Sequence, residues 1–152
     1  MESEKSQHVQ GSLAGLPCAC ANLRRAARAV TRIYNLELRT TGLEVTQYTL
    51  LMALSIMGET TQGVLGRLLA LDTTTLTRML RPLKKHGWVA AHRGDDRRQR
   101  LLRLTAPGRE KLQQSRPHWE RAQEALRRSL GDAAWNRMGG LLTEVTRACA
   151  EE

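Results

Sequence analysis

A polar helix, a glycine stop and two short apolar strands around a basic tip follow one another between residues 63 and 108. The helix opens on Asp72-Thr73-Thr74-Thr75 and carries two arginines further along. The strands, residues 88–91 and 101–104, flank the tip Arg93-Gly94-Asp95-Asp96-Arg97-Arg98-Gln99-Arg100. Such a helix fits the major groove of DNA, and a basic hairpin can reach the adjacent backbone or minor groove. The pattern therefore predicts a winged helix-turn-helix.

Apolar residues at steps of three and four predict further helices on both sides of this segment. A long first helix ends at Gly42, and we expect the hydroxyl of Thr46 to cap the second helix. Residues 60–62 are predicted to form a short strand or turn. After the hairpin, Thr105 starts a helix that runs to about Leu130, and a last amphipathic helix follows. The predicted fold class is mostly α with a small β-hairpin wing.

The same pattern divides the chain into three parts. Residues 1–16 are predicted to be a flexible N-terminal tail, and residues 45–105 the winged helix-turn-helix that binds DNA. Residues 17–44 and 106–152 are predicted to form a helical dimerisation region. The terminal helices have apolar faces too large for a small winged module to cover alone, so we expect a second copy to bury them in a homodimer.

Composition agrees with a nucleic-acid partner and excludes several other classes. Lys and Arg total 24 against 15 Asp and Glu, so the formal charge is +9 and the pI is about 10.5, above the level that flags nucleic-acid binding. No apolar run is long enough to span a bilayer, and the N-terminus does not read as a signal peptide. Three cysteines are too few for a disulfide framework. We therefore expect a cytoplasmic protein without a membrane partner.

Enzymatic chemistry finds no support in the sequence. It holds no phosphate-binding glycine loop, no metal-ligand triad and no nucleophile at a suitable spacing from a base. We therefore expect no catalytic residue, no cofactor and no metal site. The alternative to DNA binding is a winged-helix module that binds another protein without recognising a DNA sequence.

Three segments of the chain match the motifs of one known family. They are a wing segment from Asp96 to Gly108, the segment Gly42-Leu43-Glu44-Val45-Thr46-Gln47-Tyr48 before the second helix, and Leu71-Asp72-Thr73-Thr74-Thr75-Leu76-Thr77-Arg78. Over nearly its whole length the chain resembles the MarR family of bacterial transcriptional regulators. The resemblance implies a dimer held by its terminal helices, a wing in the minor groove and a palindromic operator. It also implies a repressor that a small, for example aromatic, ligand or cysteine oxidation releases.

The predicted DNA contacts lie on the helix and on the wing. Hydroxyls and guanidinium groups of the helix can bind base edges and phosphates; the candidates are Thr73, Thr74, Thr75, Thr77, Arg78 and Arg81. On the wing, Arg98 is the candidate for minor-groove insertion, and Asp96 is expected to hold the hairpin or orient Arg98. Backbone contacts are expected from Arg93, Arg97 and Arg100. Lys84, at the end of the helix, is expected to complement the helix dipole instead.

Cys18-Ala19-Cys20 stands at the start of the first long helix, where amide dipoles can activate a thiol. Cys20 precedes Gly42 by 22 residues. This distance is similar to the one between the reactive cysteine and the matching glycine in the peroxide-sensing OhrR branch of the family. Tyr34 matches a tyrosine that contacts that cysteine. The chain lacks two other tyrosines of that branch. Three interpretations remain open: Cys20 is a small buried core residue, it is a redox switch alone or with Cys18, or both cysteines bind a soft metal or arsenical.

A small-molecule pocket is the other route to regulation that the resemblance implies. It would lie between the dimerisation helices and the winged lobe, and its candidate residues are Leu23, Ala27, Tyr34, Met52 and Ile56. Ordinary core packing is the alternative for each of them. The identity of the signal and of the controlled genes does not follow from the sequence.

Overall fold

The computed structural model describes residues 17–94 and 99–150. The predicted tail and the wing-tip residues Asp96, Arg97 and Arg98 lie outside the described residues. In chain order the elements are α1 (Ala19–Leu38), a 3₁₀ turn (Arg39–Thr41), α2 (Val45–Met57), β1 (Thr60–Thr61), α3 (Gln62–Leu69), α4 (Thr73–Lys85), β2 (Val89–Arg93), β3 (Arg100–Leu104), α5 (Ala106–Leu130) and α6 (Asp132–Ala150). The predicted fold class, mostly α with a small wing, is confirmed.

Side-chain caps fix where most of the helices begin. Asp72 accepts from the amide of Thr75 at the start of α4, and Thr105 accepts from the amide of Gly108 at the start of α5, as polar side chains do at helix N-termini. The expectation that Thr46 caps α2 is wrong. Glu44 is the extended residue before that helix, and it forms a capping box with Gln47, so Thr46 already lies inside the first turn.

The wing is a three-stranded antiparallel sheet in the order β1-β3-β2. In the predicted hairpin, Val89 pairs with Leu104 at one end and Arg93 pairs with Arg100 at the other. The third strand, β1, is the short segment before α3, in which Thr60 pairs with Leu102. Thr61 pairs with Leu101, so β1 connects the middle of β3 to the helix-turn-helix formed by α3 and α4.

The main hydrophobic core joins α2 to α3, α4 and the sheet. It includes the last residue of α1, Leu38, and fully buried leucines from α2 and α4; these are Leu50, Leu51, Leu54, Leu76, Leu80 and Leu83. A second, smaller cluster joins α1 to α5 through Tyr34, Ala122 and Leu126. The removal of these apolar side chains from water stabilises the packing of α3, α4 and the sheet against α2.

Helix α6 has no buried residue in the described chain, although it is amphipathic. Its leucines Leu141 and Leu142 are 61% and 45% exposed. Among the described residues, none of the helices combines the length and apolarity that crossing a membrane requires.

Candidate nucleic-acid interface

Helix α4 buries one side and exposes the other, which faces a groove. The buried side carries Leu76, Leu80 and Leu83, each with no exposed area. The exposed side lines an open groove of about 570 Å³ with threonines and basic residues, namely Thr73, Thr74, Thr77, Arg78, Arg81 and Lys84. Five of the six residues predicted on this helix therefore share one surface. Lys84, which was expected to serve the helix dipole, lies on the same surface.

Thr75 is the predicted helix residue that the structure places outside this groove. Its hydroxyl donates to Asp72 Oδ2 at 2.7 Å and its amide donates to Oδ1 at 2.8 Å. These hydrogen bonds, the side-chain one first, lower the pKa of the Asp72 carboxyl below its ordinary value. In the unbound chain, Thr75 therefore takes part in the cap of α4.

Gln62, the first residue of α3, is a contributor that the sequence did not indicate. Its Nε2 donates to Thr77 Oγ1 at 2.6 Å and lies 3.4 Å from the carbonyl oxygen of Thr73. The side chain thus fixes the start of α3 against the first turns of α4. No local pattern could have identified it, because 15 residues separate Gln62 from Thr77.

The free end of the wing presents two predicted arginines side by side. Arg93 and Arg100 are opposite each other in the register of β2 and β3, and both are exposed. The Gly94 amide donates to the Gln99 carbonyl at 3.0 Å just beyond them. Asp96, Arg97 and Arg98 lie outside the described residues, so their roles stay predictions.

A close backbone contact anchors the wing to the end of α4 and the start of α5. The Thr105 hydroxyl donates to the Gly87 carbonyl at 2.6 Å, and the Thr105 amide donates to the Trp88 carbonyl at 3.0 Å. A Cβ at Gly108 would stand 2.1 Å from the Trp88 carbonyl oxygen, so this position has room for glycine alone. The wing is therefore held at both of its strand ends.

The cysteines lie on the surface of the described chain. Cys18, Cys20 and Cys149 are all exposed, so the interpretation of Cys20 as a small buried core residue is wrong for this subunit. Cys18 is the N-cap of α1, and its sulfur accepts from the Ala21 amide at 3.5 Å. Within the described ranges, no group of three or more potential ligands is placed to hold a metal ion.

Tyr34 lies far from Cys20 within one subunit. Fourteen residues of α1 separate them, which is about 21 Å along the helix axis. The Tyr34 hydroxyl instead donates to Gln123 Oε1 of α5, and burial raises the pKa of this tyrosine. Any contact between Tyr34 and a Cys20 sulfur would have to come from a second copy of the chain.

The predicted ligand-pocket residues occupy three separate places. Met52 and Ile56 line a cavity of about 240 Å³ between α2 and α5, together with Tyr48, Ser55, Leu112, Arg116 and Trp119. The rings of Tyr48 and Trp119 stack with centroids 5.7 Å apart, and burial raises the Tyr48 pKa although the positive charge of Arg116 lowers it. Leu23 and Ala27 are exposed on α1, and Tyr34 belongs to the α1–α5 cluster.

A threonine- and arginine-lined helix beside a basic three-stranded wing defines a winged helix-turn-helix DNA-binding protein. The MarR family profile matches residues 41–99. The crystal structure of the transcriptional regulator MosR of M. tuberculosis in complex with DNA is 34% identical; the alignment covers 88% of this chain and 97% of that chain, with a TM-score of 0.80. The chain therefore belongs to the MarR family.

Two further proteins are similar to this chain. An uncharacterised HTH-type transcriptional regulator of Bacillus subtilis, YwoH, is 29% identical over 92 residues, which are 60% of this chain and 67% of that protein. A mutant MarR of E. coli, solved with operator DNA, shares the fold at 24% identity and a TM-score of 0.74, covering 81% of this chain and 89% of that chain. The chain is a DNA-binding transcriptional regulator, and its relatives are regulators rather than enzymes.

Proposed function

We propose that the chain is a homodimeric repressor that binds a palindromic operator. The observation that carries the proposal is the groove of α4, in which three threonines and two arginines face outward beside Lys84. The similar MosR structure contains DNA, which supports the same use of this surface here. A two-fold dimer presents two such helices to successive turns of a duplex, and a two-fold protein matches a palindrome.

The dimer would be built from the two terminal parts of the chain, residues 17–44 and 106–152. Large apolar side chains are exposed on α1, α5 and α6, namely Leu23, Leu130, Leu141 and Leu142. Covering them with the same helices of a second copy removes apolar area from water, which favours association. Residues 45–105 would then act as the DNA-binding part of each subunit.

Each part of the surface has a distinct role in this proposal. Thr73 and Thr74 at the start of α4 bind phosphate with the helix amides, and Arg78 and Arg81 reach base edges in the major groove. The wing arginines bind the flanking backbone, with Arg98 in the minor groove and Asp96 orienting it. This division separates contacts that position the protein from contacts that read the sequence.

The cavity between α2 and α5 is the proposed site for a small aromatic inducer. Its wall is the stacked pair of Tyr48 and Trp119, and Arg116 adds a positive charge at the edge. Aromatic walls with a few polar groups are typical of sites for such ligands. Arg116 contacts Glu120 through its Nε at 3.1 Å, and its other guanidinium N–H groups are donors for an anionic ligand. Because α2 packs against both α5 and α4, a ligand there can change the position of the recognition helix.

Oxidation of Cys18 and Cys20 is the second proposed signal. Both thiols are exposed, and Cys18 caps α1 through its sulfur. A peroxide that forms a disulfide between the two sulfurs takes up the two electrons and two protons that the thiols lose, and is reduced to water or an alcohol and water. The new bond would change the cap of α1 and so the start of a dimerisation helix.

Operator binding tests the proposal. A duplex from the promoter region of the chain's own gene is titrated with the protein at several salt concentrations. We expect tight binding that weakens steeply with salt, because phosphate contacts release counterions. The Arg78→Ala/Arg81→Ala variant should bind at least about tenfold more weakly, whereas Arg128→Ala, on the exposed side of α5, should not. A flat salt response would favour the protein-interaction module instead.

The two signals are separated by variants. If peroxide treatment abolishes operator binding by the wild type but not by Cys20→Ser, the switch is assigned to the thiols. Cys18→Ser is the second variant. Release by salicylate or benzoate that disappears in Arg116→Gln assigns it to the cavity. A protein that is monomeric in light scattering and binds no promoter duplex would contradict the whole proposal.

A further inference from the structure

Four arginines form a stripe along α1 that the operator surface does not use. At 100° per residue, Arg24, Arg25, Arg28 and Arg32 fall within an arc of about 100° and cover about 12 Å of the helix. All four are exposed. The opposite side of the same helix carries Val30, Ile33 and Tyr34, which pack toward α5; the arginine stripe therefore points away from its own subunit.

The arginine stripe is not neutralised by any described carboxylate. Three exposed arginines of α5, by contrast, each face an acidic partner: Arg116 contacts Glu120, Arg121 contacts Glu37, and Arg127 contacts Asp132. Glu37 is the one acidic residue of α1, and Arg121 occupies it. Like charges at spacings of three and four also repel along a helix, so the stripe opposes the stability of α1.

The chemistry of the arginine stripe points to phosphate. Guanidinium groups bind phosphate oxygens through paired hydrogen bonds, and duplex DNA carries one negative charge per about 1.7 Å of its axis. A protein partner usually buries apolar or aromatic side chains at the centre of the contact. The arginine stripe has none between Arg24 and Arg32, and the exposed Leu36 lies one turn beyond its end.

The position of the arginine stripe separates it from the operator surface. Helix α1 packs on α5 and α2, whereas α4 packs on α2, α3 and β2. Helix α2 therefore lies between α1 and the recognition helix, and the stripe is on the outer side of α1. We propose that the arginine stripe binds the backbone of a second DNA duplex, without sequence preference, while α4 and the wing hold the operator. One dimer would carry two such stripes and could bridge DNA segments.

A bridging assay tests this inference with the full chain. A promoter duplex is fixed to beads and loaded with protein, and a labelled random-sequence duplex of equal length is then offered. We expect the wild type to retain the labelled duplex, and the Arg25→Gln/Arg28→Gln/Arg32→Gln variant to retain at least about tenfold less while holding the promoter duplex normally. The same three positions changed to Lys should restore capture, because the charge returns.

Arg121→Gln/Arg127→Gln is the control. It removes arginines from positions that already contact carboxylates, so capture should stay close to that of the wild type. In direct titration of the random-sequence duplex, the stripe variant should lower the slope of log K against log salt by about 2.7, which is about 0.9 for each lost phosphate contact. That titration does not depend on the operator.

Four results would overturn the inference. They are equal capture by wild type and stripe variant, no capture by a wild type that holds the promoter duplex, an unchanged salt slope, and loss of the dimer or of promoter binding in the stripe variant. The last result would place these arginines in the subunit interface or on the operator itself. A wild type that ignores the promoter duplex would contradict the proposed function, whereas the salt slope on random-sequence DNA would still decide the role of the stripe.

Discussion

Arg93 and Arg100 lie directly opposite each other at the free end of the wing, and both side chains are exposed. Like charges facing each other across two strands destabilise a sheet, so this pair costs stability in the free protein. A phosphate between the two guanidinium groups would remove the repulsion. At this end of the wing, the two arginines therefore lower the stability of the free protein and favour DNA binding.

We predict that Arg93→Ala/Arg100→Ala weakens promoter binding at every sequence and lowers the salt slope by about 2, because two phosphate contacts are lost. Thermal stability should stay the same or rise slightly, since the facing charges are gone. Fluorescence anisotropy over a range of salt concentrations and a melting curve measure the two effects. A variant with the wild-type salt slope would remove these arginines from the interface.

We predict that Gln62→Ala weakens operator binding severalfold at a cost in unfolding free energy of only about 1 kcal/mol, the usual net value of one hydrogen bond. The reason is that Gln62 holds Thr77 and therefore the start of α4. Thr77→Val removes the acceptor with little change of shape. In a double-mutant cycle, the stability effects of the two substitutions should not add, and additive effects would contradict the link.

The Asp72 cap should make stability depend on pH in the acidic range. Hydrogen bonds from Thr75 lower the pKa of Asp72 in the folded state. The carboxylate therefore adds stability above its unfolded pKa, about 3.9, and this contribution is lost as the pH falls through the lower folded value. Asp72→Asn keeps a capping oxygen that does not titrate. The melting temperatures of the two proteins should differ most near neutral pH and converge below about pH 4; a constant difference would exclude the carboxylate as the cause.

Gly108 should be among the least replaceable residues of the wing anchor. A methyl group there would meet the Trp88 carbonyl oxygen at 2.1 Å, and the backbone would have to move. We predict that Gly108→Ala costs about 1–3 kcal/mol or more, as overpacking does. Gly63→Ala is the control, because its added methyl meets only the flexible end of Arg67 at 3.8 Å. Chemical denaturation compares the two, and equal stabilities would contradict the close contact.

Much of the fold could be predicted because its determinants are local. As expected, Thr105 starts helix α5 as its N-cap, and the helix, Ala106–Leu130, ends at Leu130, since a cap and a glycine act within a few residues. The cap of α2 was predicted at Thr46 and lies at Glu44. Both residues are polar and they stand two positions apart, so the sequence did not distinguish between them. Residues 60–62 were predicted to form a strand or a turn. The sequence left that choice open because Thr60 and Thr61 form a strand through their pairing with the distant Leu101 and Leu102.

The candidate site was predictable in composition and less so in arrangement. The sequence identified the polar face of α4. It did not predict that Lys84 lies on that face or that the Thr75 hydroxyl donates a hydrogen bond to Asp72. The candidate pocket residues lie in three separate places. Periodicity predicts which face of its own helix a residue occupies, but it does not predict which other element packs against that face.

The amino-acid sequence by itself determined the order of helices and strands, the basic character of the recognition helix and wing, and the family motifs. These properties depend on periodicity, charge and contacts within about one helical turn. Only the tertiary structure decided that Gln62 holds Thr77, that Arg93 faces Arg100, and that Tyr34 bonds Gln123 rather than a cysteine of its own chain. Those relationships depend on strand register and on how helices cross, which packing of the whole core fixes.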